Sequence, residues 1–340
     1  MRTRPLPDSA ERLPGLAGNE GLDEAAALMV RLAVGSRLDR VGAFAQEHLN
    51  TGGKAMRSRL ALAGAEALGV PRSEVVPWAA ACELLHQASL VHDDVQDGDP
   101  VRRGHATVWS RHGVSAAINV GDLLLMLPWL AICELPTPDS VRMSLVAATA
   151  RRAAETVRGQ GRDLDLLPSE RLERLDWEGS ARGKSGALLA LPVEGAALLA
   201  RLSPETAAAL AEPFGTLGVL YQACDDVTDL YGDKGRGAPG NDLREGKVSL
   251  LVVEHLRLHP ADREALVELL RRPRAETTDG EVARWIQVFR DGGALAACLA
   301  RIDDYQRDVL GDGRLRAVPD LHDVATELVG RIMKVMRNAT

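Results

Sequence analysis

Apolar residues recur at steps of three and four along most of the chain, and this spacing predicts helices rather than strands. The first stripe covers 22–49 and stops at Thr51-Gly52-Gly53. Further helices are expected over 56–68, 75–94, 114–133, 140–160, 171–191, 204–229, 247–258, 263–271, 281–309 and 321–337. Turn chemistry separates them at Gly69-Val70-Pro71, Pro136-Thr137-Pro138, Ser203-Pro204 and the long stretch 232–242. No run alternates strictly over a strand length, and no segment repeats at a fixed period. The pattern predicts an all-α fold in a single domain, with central helices apolar enough to be buried on most sides.

Composition supports this. The chain is 46% hydrophobic but only 3% aromatic, so Ala, Leu and Val must fill the interior, and such a mixture favours helices. A formal net charge of -7 argues against nucleic acid or an anionic membrane as the main partner. Residues 1–20 hold three prolines and two glycines. They are expected to form a flexible leader ahead of one catalytic domain over 21–340, and they contain no apolar core that would serve as a secretory signal. The most apolar stretch, 121–133, is short and carries Asp122 and Pro128, so no transmembrane segment is expected. Cys82, Cys133, Cys224 and Cys298 form no CxxC pair; buried free thiols in a reducing, cytoplasmic compartment are expected.

The sharpest chemical signal is the run Leu84-Leu85-His86-Gln87-Ala88-Ser89-Leu90-Val91-His92-Asp93-Asp94-Val95-Gln96-Asp97. It is an apolar helix ending in a knot of negative charge. Asp93 and Asp97 are one turn apart on one face, with Asp94 alongside. Three such carboxylates repel one another, and oppose the helix dipole, unless a cation lies between them. Their hard oxygens suit Mg²⁺, which keeps water and phosphate oxygens as further ligands. The pattern recurs at Asp225, Asp226 and Asp229, again at the end of an apolar helix. Two such ends facing one cleft would hold a cluster of metals.

Basic residues beside glycines keep these acidic knots company: Gly52-Gly53-Lys54 with Arg57, Arg102-Arg103-Gly104, Gly183-Lys184-Ser185-Gly186 and Gly246-Lys247. Glycine permits close backbone approach, and arginine forks match phosphate oxygens. The spacing GxxxxGK[ST] is absent, so a nucleotide P-loop is unsupported.

With GGKAMR, LLHQASLVHDD, DDVQD, RRGHATVW, GKSG, DDVTD and DLREGK in this order, the sequence resembles the trans-type polyprenyl diphosphate synthases, the family of farnesyl and geranylgeranyl diphosphate synthases. The resemblance implies an isoprenoid synthase helical bundle around a central cavity. It also implies Mg²⁺-dependent head-to-tail condensation of isopentenyl diphosphate with an allylic diphosphate, in a cytoplasmic homodimer. Asp93, Asp94, Asp97, Asp225, Asp226 and Asp229 would bind three Mg²⁺ ions and the allylic diphosphate. Arg102, Lys184 and Lys247 would contact that diphosphate too. Lys54, Arg57, His86 and Arg103 would hold isopentenyl diphosphate. Ser185 stands where the family has threonine, and Gln222 would lie near the allylic chain and help to stabilise developing positive charge. A terpene cyclase or unconventional prenyl-coupling enzyme on the same scaffold is the alternative, but it would have no need of a second anion site.

Besides Ser185, the chain departs from the family at three places. Arg57-Ser58-Arg59 replaces the usual arginine–proline after the GGK turn; Gly237 falls where a lysine is usual; and Ser249-Leu250-Leu251 replaces TLP. Product length is set, in the family, by residues preceding the first aspartate. Helical spacing puts Ser89, Leu85 and Cys82 on one face, with Ala88 at its edge. Ser89 and Ala88 are small where an aromatic residue would stop growth at fifteen carbons. Leu85, one turn deeper, is large enough to restrict a longer chain. A geranylgeranyl product is therefore expected.

Overall fold

A computed structural model describes residue 16 and residues 21–36, 39–165, 174–232 and 239–337. The described chain is helical almost throughout. It runs through α1 (Leu22–Val34), α2 (Arg40–Asn50), α3 (Met56–Ala67) and α4 (Val76–Gln96) to a small hairpin, β1 (Val101–Arg102) with β2 (His105–Ala106). Then come α5 (Val108–His112), α6 (Val114–Cys133), α7 (Asp139–Asp165), α8 (Arg174–Ala181), α9 (Ala187–Leu199) and α10 (Pro204–Tyr231). The chain ends with α11 (Asn241–Arg244), α12 (Leu250–Leu258), α13 (Arg263–Arg271), α14 (Asp279–Asp291), α15 (Ala294–Gly311), α16 (Gly313–Arg316) and α17 (Pro319–Arg337). The all-α expectation holds. The expected leader at 1–20, Gly237 and the expected helical residues 171–173 lie outside the described residues, apart from Leu16.

Several boundaries differ from the periodicity, each for a local reason. The stripe at 22–49 is two helices: Gly35, at φ 63°, caps α1, and Asp39 starts α2 by accepting the Gly42 N–H at 2.7 Å. The run expected at 281–309 is also two helices, broken at Gly292-Gly293, with Gly293 at φ 83°. Its start moves back to Asp279 because Thr278 and Glu281 form a reciprocal capping box. The Ser249 side chain caps α12 two residues beyond the expected start. The hairpin at 101–106 has two residues per strand, too few for a period of two to register.

The chain divides into two compact units, one formed by Met1–Arg151, Ala190–Ala211 and Ala317–Val324, the other by Arg152–Leu189, Glu212–Arg316 and Ala325–Thr340. In the first unit α4 packs chiefly on α6, and also on α3 and α1. Such a surrounding explains why α4 is apolar nearly all round, with Trp78, Leu84 and Ala88 buried. Each fully buried leucine of this kind contributes about 1.5–3 kcal/mol relative to exposure. Trp78 donates its indole N–H to Pro192 O at 3.0 Å, and Gly195 lies so close beneath the ring that a Cβ there would collide with it. In the second unit α12 packs on α15, α14 and α8, and His255, Trp285 and Phe289 form an aromatic cluster.

The apolar stretch expected at 121–133 belongs to a longer helix. α6 has twenty residues and is long and apolar enough to cross a membrane by length and composition. It also packs on α4, α5, α2 and α1. Of the four cysteines, Cys82, Cys224 and Cys298 are buried free thiols, but Cys133 is exposed. Its place at the last residue of α6 explains this correction to the expected burial: the helix end turns it outward.

Candidate active site

The first unit gathers one set of the expected residues. α4 carries His86 mid-helix and ends in the acidic knot, with Asp97 as its C-cap. Arg57, in the first turn of α3, lies with Nη1 3.0 Å from His86 Nε2. Burial, reinforced by the charges of Arg57, Arg103 and Arg102, holds the His86 imidazole well below its usual pKa, so it is neutral. Its Nδ1 is buried without a hydrogen-bond partner. Arg103 donates to Gly52 O, and a Cβ on Gly53 would collide with its guanidinium. The two glycines therefore let the hairpin arginine dock on the turn that carries Lys54. Lys54 itself is exposed.

Behind these groups runs a buried chain of hydrogen bonds that the sequence reading did not assign. Glu83 accepts the N–H groups of Arg57 at 3.2 Å and Ser58 at 3.3 Å and the Gln87 amide at 3.0 Å. Gln87 Oε1 in turn lies 3.0 Å from His48 Nε2. Burial lowers the His48 pKa to about 4, outweighing the Gln87 hydrogen bond, and Arg102 and Arg103 push it the same way. The spacing of Glu83 and Gln87, one turn apart and inward on α4, was the available signal. An apolar helix that carries Glu and Gln on its buried side must satisfy them somewhere.

The three aspartates of the first motif are not equivalent. Asp94 is buried and accepts from Arg102 Nε at 2.5 Å. Its pKa is raised to about 6, because desolvation exceeds the lowering effect of Arg102. Asp93 and Asp97 are only partly buried.

The second unit gathers the rest. Between α8 and α9, residues Arg182–Gly186 form a π-helical turn that carries Lys184 and Ser185. Glycine permits it: a Cβ on Gly218 of α10 would collide with the Gly186 backbone. Lys184 Nζ lies 3.4 Å from Asp163 Oδ2. Ser185 Oγ donates to Gln222 Oε1 at 3.4 Å, and Gln222 Nε2 donates to Asp226 Oδ1 at 2.9 Å. Asp226 Oδ2 accepts from Trp177 Nε1 at 3.1 Å and Leu250 N at 2.7 Å. It is buried, and burial together with Asp242 and Asp225 raises its pKa well above the carboxylate range, against the Leu250 and Gln222 hydrogen bonds. Asp229 is also buried and accepts from Asp242 N at 3.0 Å, whereas Asp225 is partly exposed. Lys247 pairs with Glu245 at 2.9 Å, and its N–H donates to Asp242 O at 2.8 Å. Trp177 and Asp163 were missed, because no local spacing links position 177 to position 226.

Among the described residues no three His, Cys, Asp or Glu side chains converge on one metal position. The donors nevertheless fit Mg²⁺ chemically. Asp93 and Asp97 offer hard oxygens one turn apart on one face, and Mg²⁺ is ordinarily held by one or two carboxylates plus water and phosphate.

The polyprenyl synthetase family model matches residues 39–288. The chain is 35% identical to a short chain isoprenyl diphosphate synthase of Methanothermobacter thermautotrophicus over 74% of this chain and 77% of that one. It is 36% identical to a geranylgeranyl diphosphate synthase of Mycobacterium tuberculosis, over 72% of this chain and 70% of that one. Its fold matches a polyprenyl synthetase of Streptomyces coelicolor A3(2) with a TM-score of 0.82 and 28% identity, covering 92% of this chain and 98% of that one. The chain belongs to the polyprenyl synthetase family and is a trans-prenyltransferase.

Proposed function

We propose that the enzyme condenses isopentenyl diphosphate with allylic diphosphates, head to tail, and that geranylgeranyl diphosphate is its main product. The observation that carries this reading is the Arg57–His86–Arg103 cluster on the Gly52-Gly53-Lys54 turn. It is an intact cationic anion site distinct in composition from the acidic motifs. An enzyme with a single diphosphate substrate has no use for it.

Asp93, Asp97 and Asp225 are the carboxylates suited to hold Mg²⁺, and Asp94, Asp226 and Asp229 are suited to brace them through their buried hydrogen bonds. Bound Mg²⁺ would take up negative charge that develops on the departing diphosphate. Lys184, Arg102 and Lys247 add positive charge for the same anion, and they act on the transition state because that charge grows as the bond breaks. Lys54, Arg57 and Arg103 orient isopentenyl diphosphate, whose double bond attacks the allylic cation. Neutral His86 can donate one hydrogen bond to that diphosphate without adding charge. The proton lost afterwards goes to the released diphosphate, so no dedicated base is required. The amide oxygen of Gln222 supplies a dipole for the cation, and Ser185 holds that amide in place.

The small Ser89 and Ala88 support a twenty-carbon product, as does the name of the Mycobacterium tuberculosis relative, a geranylgeranyl diphosphate synthase. A Caulobacter crescentus polyprenyl synthase with 25% identity and a TM-score of 0.82 is described as a complex with calcium and isoprenyl diphosphate, which supports divalent-metal dependence here. Residues 21–340 act as one catalytic domain after a leader at 1–20; α7, α9, α10 and α17 each contribute residues to both compact units. A homodimer is supported by the exposed apolar stripe of Ile118, Met126 and Leu130 on α6. A cytoplasmic setting agrees with four free cysteines.

Incubation with Mg²⁺, isopentenyl diphosphate and each short allylic diphosphate tests the reading. Elongated, isopentenyl-dependent products are expected. Hydrocarbon or cyclised products formed without isopentenyl diphosphate would refute it.

A further inference from the structure

On the second unit, Arg182, Gly183 and Gly186 of the π-helical turn border a cavity of about 340 Å³. It is at the small end of ligand pockets, which span roughly 300–1,000 Å³. Four arginines line it, Arg152, Arg158, Arg162 and Arg182, against two carboxylates, Glu155 and Glu212. The surplus is two positive charges, in a protein whose net charge is -7.

The pairing within the cavity is uneven. Arg152 is buried and engages both glutamates, with Glu155 at 3.1 Å and Glu212 at 3.4 Å. Arg182 reaches Glu212 only at 3.7 Å and Thr216 Oγ1 at 3.3 Å. Arg162 has one marginal contact, to Gly179 O at 3.5 Å. Among the described residues Arg158 makes no ion pair. Two guanidinium groups one helical turn apart on α7 thus border the cavity with no carboxylate partner among the described residues. Glycines 179 and 215 also line the cavity, and the positions their missing Cβ atoms would take lie 3.4 Å from Arg162 Nη1 and 3.3 Å from Arg182 Nη1, so no side chain of their own crowds those guanidinium groups.

We propose that this cavity is a further oxyanion site, apart from the two that the substrates use, and that it binds inorganic diphosphate, the anion released at each turnover. Planar guanidinium forks match phosphate oxygens bidentately, and several together suit an ion of several negative charges. The small, arginine-lined volume favours the free anion over a prenylated one. Arg182 and Gly183 line the cavity and Lys184 follows them in the same turn, so a bound product anion would sit against the backbone that positions Lys184. The choice of diphosphate rests on the elongation reading; the surplus charge of the cavity does not.

Isothermal titration with inorganic diphosphate in EDTA tests the site, using Arg103→Ala protein so that the cluster on the GGK turn is weakened. One binding event per chain is expected. It should weaken about tenfold for each arginine lost in Arg158→Ala and Arg162→Ala, with the melting temperature preserved because both side chains are exposed. Arg158→Gln alone serves as the milder variant if the double substitution fails to fold. Titration curves unchanged by these substitutions would overturn the proposal, whatever Arg103→Ala does to elongation. Sulfate binding as tightly as diphosphate would overturn the assignment of the ligand.

Discussion

Glu83 accepts the backbone N–H of Ser58 at 3.3 Å, and through the same oxygen that of Arg57 at 3.2 Å. The family usually has proline after this arginine, and a proline could not donate. Serine can, and its hydroxyl also reaches Ala79 O at 2.9 Å. The departure at Ser58 is thus absorbed by a carboxylate that pins the start of α3 to α4 and so fixes Arg57 against His86.

Glu83→Ala should therefore act on both stability and substrate binding. It strands two backbone donors and the Gln87 amide in a buried site, at about 1–3 kcal/mol for each group left unsatisfied. The expected result is a lower denaturation midpoint and a raised KM for isopentenyl diphosphate, with the KM for the allylic substrate changed much less. Glu83→Gln can restore most of the pattern by rotating the Gln87 amide, and should recover most of the KM. Equal effects on both Michaelis constants would show that Glu83 does not position Arg57.

Within each acidic motif the two kinds of aspartate should separate by experiment. Asp225→Ala and Asp93→Ala remove partly exposed carboxylates. Turnover at saturating Mg²⁺ should fall by about a hundredfold or more, with little loss of melting temperature. Asp226→Ala also leaves the Trp177 indole and the Leu250 N–H without their acceptor. It should lower both turnover and melting temperature. Kinetics paired with thermal melts decide the matter: an Asp225→Ala enzyme of near-normal kcat would remove Asp225 from the metal set.

Much of this was legible in the sequence because the decisive signals are local. The order of Gly52-Gly53-Lys54, His86, Asp93 and Lys184 identifies the chemistry, and three-and-four periodicity finds nearly every long helix. What escaped were features set by other parts of the chain. Nothing near Trp177 announces that its indole N–H meets a carboxylate forty-nine positions later. The breaks at Gly35 and Gly293 interrupt stripes that read as continuous, since periodicity reports faces and not left-handed caps. The π-helical turn at Arg182–Gly186 depends on close backbone approach by Gly218, which no helical propensity encodes.

His48 gives the protein a predictable acid sensitivity. Its folded pKa of about 4 lies below the ordinary 6.5, so between these values the unfolded chain binds the extra proton. The contribution to stability is full above pH 6.5 and is lost as pH falls toward 4. Integrated over that window it amounts to about 3 kcal/mol. His48→Gln removes the titration and can keep a hydrogen bond to Gln87. Melting temperatures at pH 7 and pH 5 should drop less in this variant than in the parent. Parallel pH profiles would show that His48 is not buried as a neutral ring.

Product length should respond to the face of α4 that precedes Asp93. Cys82, Leu85 and Ala88 are buried, and Ser89 is half-buried with its hydroxyl bonded to His86 O at 2.8 Å. That bond folds the hydroxyl back on the helix, so Ser89 presents a small side chain rather than a polar obstacle. A phenylalanine there cannot fold back. Its ring must project from the helix surface within one turn of Asp93, where the first five-carbon units of a growing chain would lie. Ser89→Phe should shift the product from twenty carbons to fifteen. Leu85 lies one turn further from the acidic knot, so truncating it opens space only to a longer chain. Leu85→Ala should therefore leave initiation intact and add products beyond twenty carbons. It should also cost about 2–5 kcal/mol of stability if the cavity stays empty, and a long prenyl product should recover part of that by filling it. Chromatography of the dephosphorylated alcohols from both variants reads the outcome. If Ser89→Phe leaves the distribution unchanged while the enzyme still elongates, the growing chain does not run along this face.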